Sequence, residues 1–128
     1  MAGVDEGRSV VVGAYAEFLV LNPELLDLCA AWQIRTVDGM ANDHSDADYD
    51  RRVLELLAGF HQRAETACAR LFRTVPRFAR YQVRLTEALT RAKAGSRVHV
   101  TDSMQSYHSI WFQLHEDLLT TLGIPREH

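Results

Sequence analysis

Two histidines, His108 and His115, stand seven residues apart in the stretch SYHSIWFQLHEDLLTTLG, which runs from Ser106 to Gly123. At about 100° of rotation per residue, Met104, Tyr107, Ile110, Trp111, Leu114, Leu118 and Leu122 form one apolar helix face. Gln105, Ser109, Gln113, Glu116 and Thr120 lie opposite, and both imidazoles fall within the apolar stripe. A second pair, His61 and Glu65, occupies i and i+4 at the border of another apolar face. Imidazoles and carboxylates from facing helices of a bundle can bind a metal ion, so convergence of these four side chains would make a metal site. The repeated Glu-x-x-His motif of di-metal bundles is absent. The residues therefore favour a surface ion pair for His61 with Glu65, hydrogen-bonded core positions for His108 and His115, and no metal ligand in this chain.

Other chemistries find less support. Cys29 and Cys68 stand 39 residues apart with no Cys-x-x-Cys spacing and read as buried free thiols. No Gly-rich phosphate loop, Gly-x-Ser-x-Gly elbow or Cys-His pair occurs, and Ser103, Ser106 and Ser109 read as helix-start and surface residues. The alternation of Asp43, Asp46, Asp48 and Asp50 has the look of a calcium loop, but the required glycine and terminal glutamate are missing, so these are helix-start acids. A net charge of −3 argues against nucleic acid, and helical spacing scatters the arginines between Arg63 and Arg91 around a polar face suited to a protein partner.

The elements that must position these residues are helical. A chain of 128 residues with 47% hydrophobic and 24% charged content is the size of one soluble domain, and only three prolines interrupt it. The pattern predicts an all-α, single-domain bundle of about five helices covering residues 1–128. The first begins after Ser9. Asn22-Pro23-Glu24 supplies an N-cap and a first-turn proline for a second helix running to about Val37. Ser45 and Asp48 form a capping-box pattern ahead of a third helix, from Asp46 to Arg73, burying Val53, Leu57, Phe60, Ala64, Ala67, Cys68 and Leu71. Pro76 ends it. The fourth carries Phe78, Tyr81, Leu85, Ala88 and Ala92 up to Gly95, and Thr101 or Ser103 caps the fifth. No apolar run of about 18 residues predicts a membrane span, and the acidic start MAGVDEGRS lacks the features of a secretory signal, which makes the expected location cytoplasmic.

The stretch from Ser106 onward, followed by Ile124 and Glu127, resembles the helical segment of nitrile hydratase β subunits, roughly S-Y-Y-x-x-W-L-x-x-L-E-x-L-L-x-x-x-G, with Ser106, Tyr107, Trp111, Glu116, Leu118, Leu119 and Gly123 matching in register. Phe60-His61-Gln62-Arg63-Ala64-Glu65 resembles the family's F-H-x-x-W-E, and Met1-Ala2-Gly3-Val4 its M-N-G-V start. The best match spans residues 60–127. His108 replaces the family's second tyrosine, His115 a leucine and Ala64 a tryptophan.

The resemblance implies the helical half of a β subunit, without cofactor of its own, working with a separate β C-terminal-like chain and a catalytic α subunit whose Cys-x-x-Cys-Ser-Cys motif holds cobalt(III) or iron(III). The implied reaction is hydration of a small nitrile to its amide. Tyr107 is then implied as a catalytic and substrate-binding phenol, and Trp111 as a wall of the substrate pocket. A family arginine that hydrogen-bonds the oxidised cysteine ligands of α is carried onto Arg84, with Arg91 as its alternative. His108 and His115, which stand where the family has other residues, are alternative site residues on their own account. Two other readings stand beside this one: an accessory protein that delivers the metal-loaded α subunit, and a stand-alone helical interaction or ligand-binding module.

Overall fold

In the computed structural model, which describes residues 2–124 and side chains from residue 7 onward, the apolar 3-and-4 spacing becomes four α-helices, with no strand among the described residues. They are α1 (Ala2–Gln33), α2 (Ala47–Thr74), α3 (Ala79–Lys93) and α4 (Tyr107–Leu122), with short 3-10 turns at Pro76–Phe78 and Arg97–His99. The expected first two helices are one. Phe18, Leu21, Leu25, Cys29 and Trp32 are all buried along the same stripe, so the burial pattern passes unbroken across Pro23. Proline in a helix interior costs about 3 kcal/mol through its missing N–H and its clash with the preceding turn. Here Pro23 faces outward, and burial of apolar side chains on both sides of it, at roughly 1.5–3 kcal/mol each, outweighs that cost. Asn22 is accordingly no N-cap; its side chain serves Trp111 instead.

The carbonyls at the end of α1 are capped from a distance. Tyr49 donates its hydroxyl to the Ala31 carbonyl at 2.6 Å, the Asn42 amide donates to the Trp32 carbonyl at 2.8 Å, and the Asn42 backbone N–H donates to the Gln33 carbonyl at 2.8 Å. The helix thus stops at Gln33 rather than Val37. In the following loop His44 takes a left-handed φ of 63°, unusual for a residue other than glycine, with its ring 2.8 Å from the Asp50 carboxylate. Asp46, not Ser45, caps α2, accepting from the Tyr49 N–H at 3.1 Å, because the Ser45 hydroxyl is turned back to Asp43 at 2.6 Å.

At the centre of the core, aromatic rings from three helices meet. The Phe18 ring of α1 stacks on Trp111 of α4 at 4.4 Å, and Phe60 of α2 meets Trp111 edge-on at 5.3 Å. Leu85, Ala88 and Ala92 of α3 close the bundle. The last helix begins later than expected: Ser106 caps it by accepting from the Ser109 N–H at 3.1 Å, and Met104 is left in a turn, exposed. Gly123, at φ 70°, ends it in the left-handed conformation that glycine adopts without strain. By length and composition, the stretch Gly7–Gln33 of α1, in which an 18-residue window reaches a mean hydropathy of 1.3, is apolar enough to cross a membrane. Part of that apolar character goes into the core; Val12, Leu19, Val20 and Leu26 lie exposed on the outer side.

Candidate functional site

The buried seam beneath α4 is where the expected site residues depart most from their predicted surroundings. Tyr107 is fully buried, and its hydroxyl lies 2.8 Å from Nδ1 of His61. His61 itself is 5% exposed, so the surface ion pair with Glu65 is corrected. The ring is an interior group whose Nε2 lies 3.1 Å from the Thr86 hydroxyl and 3.5 Å from the Glu65 carboxylate at the edge of the seam. With Nε2–H directed to Thr86 and Glu65, Nδ1 accepts and the Tyr107 hydroxyl donates. Burial lowers the His61 pKa, with the Glu65 carboxylate opposing. Burial likewise pushes the Tyr107 phenol far above its ordinary value, with smaller contributions from Glu65, Cys68 and Cys29. The pair is neutral, and it ties α2, α3 and α4 together.

Trp111 is just as enclosed, its indole N–H donating to Asn22 of α1 at 2.9 Å. In this chain alone, neither Tyr107 nor Trp111 meets a ligand arriving from solvent. The two α4 histidines are partly exposed rather than core residues: His115 packs on Phe18 at 4.8 Å, and the His108 backbone N–H donates to the Val100 carbonyl at 3.1 Å. The apolar stripe is broader than the surface that the other helices cover, so its flanking positions remain at the edge. Among the described residues, no group of three or more His, Cys, Asp or Glu side chains is placed to hold a metal ion. Cys29 and Cys68 are free and buried, and desolvation pushes their thiols up to about 12 and about 11.

Arg84 and Arg91 come together in the open. They lie one above the other on α3 and, with Glu87, His99, Gln105 and the buried Ala88 and Ile110, line a cleft of about 260 Å³ between α3 and the entry to α4. Arg84 is partly buried and donates from Nη1 to the Gln113 side chain of α4 at 2.7 Å. Arg91 donates from Nε and Nη2 to Glu87 at 3.1 and 2.7 Å. His99 has its Nδ1 2.6 Å from the Ser96 hydroxyl. Neither His99 nor Gln105 stood out in the sequence, because they belong to a connection whose path depends on where α4 starts. Comparisons with protein-family models, curated proteins and solved structures give no match for this chain.

Proposed function

We propose that this chain is the helical, non-metal-binding subunit of a nitrile hydratase-type enzyme, bound to a metal-carrying α subunit and a separate β C-terminal-like chain. The observation that carries the reading is the use made of the matching segment. Ser106 opens α4, Gly123 closes it, and Tyr107 and Trp111 fasten it to α2 and α1. The same helix, through Gln113, anchors the Arg84 guanidinium at the edge of an open cleft. Cobalt(III) or iron(III) in α supplies the Lewis acid for nitrile hydration. This chain's part is to hold a guanidinium, with donors to spare beyond the one given to Gln113, against oxygens of the partner. Tyr107 and Trp111 act from the interior as positioning residues for α4.

Co-expression with an α subunit bearing Cys-x-x-Cys-Ser-Cys and a barrel chain tests this. The three chains should co-purify and hydrate a nitrile, while this chain alone contains no stoichiometric cobalt or iron. Arg84→Lys keeps the charge but loses the planar fork, so turnover should fall about tenfold to a thousandfold, the cost of one or two charge-assisted hydrogen bonds. Collapse in Arg91→Lys with normal turnover in Arg84→Lys would move the role to Arg91. Departure of this chain once α is metal-loaded would make it an accessory protein, and a chelator-resistant metal in the single chain would overturn the reading.

A further inference from the structure

The cleft between α3 and α4 has a chemistry of its own, and we propose that it is a binding site for a small organic monocarboxylate. The proposal concerns the free chain and does not rest on the subunit reading; the α subunit of that reading would take the same spare Arg84 donors, so the two occupants are alternatives at that side chain. Arg84 and Arg91 bring two positive charges to the cleft and Glu87 one negative charge, which leaves an excess of one positive charge to meet an anion. Both guanidiniums are pre-positioned without being used up. Arg84 gives Nη1 to Gln113 and keeps its other N–H groups, while Arg91 gives Nε and Nη2 to Glu87 and keeps Nη1.

His99 lines the same cleft and can add a donor. With the Ser96 hydroxyl donating to Nδ1, the proton of the neutral ring sits on Nε2, its remaining polar atom. An anion in the cleft favours that tautomer over the reverse. Beneath these polar groups, Ala88 and Ile110 are buried and present hydrocarbon, so the cleft offers charge at its rim and an apolar floor. A volume of about 260 Å³ falls below the range of roughly 300–1,000 Å³ usual for drug-sized ligands, which limits the guest to a few carbons or one ring. Glu87 narrows the class further: it is tolerated by a singly charged planar carboxylate matched to a guanidinium fork, and repels the second charge of a phosphate.

Titration of the isotopically labelled full chain by amide NMR at constant ionic strength tests the site with three probes: benzoate, neutral benzamide and inorganic phosphate. Benzoate should produce saturable shifts confined to residues 84–91, 96–105 and 110, with benzamide and phosphate each at least about tenfold weaker. Arg91→Gln and His99→Phe should each weaken benzoate about tenfold, as expected for loss of one charge-assisted hydrogen bond. Glu87→Gln should strengthen benzoate a few fold and phosphate by more, a gain that a merely structural role for Glu87 does not produce. Equal response to benzoate and benzamide would reduce the cleft to an apolar crevice. Phosphate binding as tightly as benzoate would make it a general anion patch, and shifts that never saturate would remove the site. Each of these results overturns the proposal while leaving the three-chain activity assay untouched, so the two readings fail separately.

Discussion

The seam under α4 and the cleft beside it share α3 and α4, yet they handle polar groups in opposite ways. In the seam each of the polar groups His61, Tyr107 and Trp111 is buried and has a partner from another helix, so hydrogen bonding there is consumed in holding the bundle. In the cleft the polar groups are partly or largely exposed and held from one side, with guanidinium N–H groups to spare. Under the two proposals, the difference separates residues whose loss should destabilise the chain from residues whose loss should change what it binds. Tyr107 and Trp111, which the family resemblance marks for chemistry, belong to the first kind, and Arg84 and Arg91 to the second.

The largest test of that division is Trp111→Ala, which removes the ring packed between Phe18 and Phe60 and should cost about 3–5 kcal/mol in urea unfolding. A loss under about 1 kcal/mol would mean that the seam is not the core. Asn22→Leu is smaller and more specific. It leaves the buried Trp111 N–H without its acceptor and should cost about 1–3 kcal/mol, although Asn22 lies beside a proline on a helix where sequence alone suggests only a cap.

Acidity probes the seam from within. Burial depresses the His61 pKa below its unfolded value of about 6.5, so below that value the unfolded chain binds more protons than the folded one. The stability tied to this group is therefore fully present above about pH 6.5 and declines as pH falls through that value toward the lower folded pKa. Urea midpoints at pH 7.5 and 5.5 should differ more for the native chain than for His61→Gln; equal differences would remove His61 from the accounting.

At the edge of α4, the double change His108→Tyr with His115→Leu installs the residues of the resembling family at partly exposed positions and should shift stability by less than about 1.5 kcal/mol. A larger loss would move these histidines into the seam. The smallest effect is expected in the cleft. Arg91→Gln breaks only an exposed i, i+4 pair with Glu87 and should change thermal unfolding by no more than about 0.5 kcal/mol, while weakening benzoate binding. Unfolding by this change would erase the distinction between the two regions.

Much of the architecture was legible in the residues. The buried face of α2, the break at Pro76, Gly95 as a helix end, and the apolar face of α4 from Tyr107 onward all follow from periodicity and backbone preference, which act within a few residues. The same periodicity also contained the correction at Pro23, since the stripe from Phe18 to Trp32 does not shift phase there, but a proline is a local signal and burial of the whole stripe is a tertiary one. The start of α2 at Asp46 and of α4 at Ser106 turned on which of several adjacent polar side chains was already engaged, as Ser45 is with Asp43. The site was less legible. Sequence placed Arg84 and Arg91 on one helix and marked Tyr107 and Trp111 as special, but a helical projection gives a direction and no depth. Only packing decided that His61 faces Tyr107 across 46 residues of chain, that Asn22 faces Trp111 across 89, and that His99 joins the two arginines at an open cleft, because each of these contacts depends on how helices distant in sequence are set against one another.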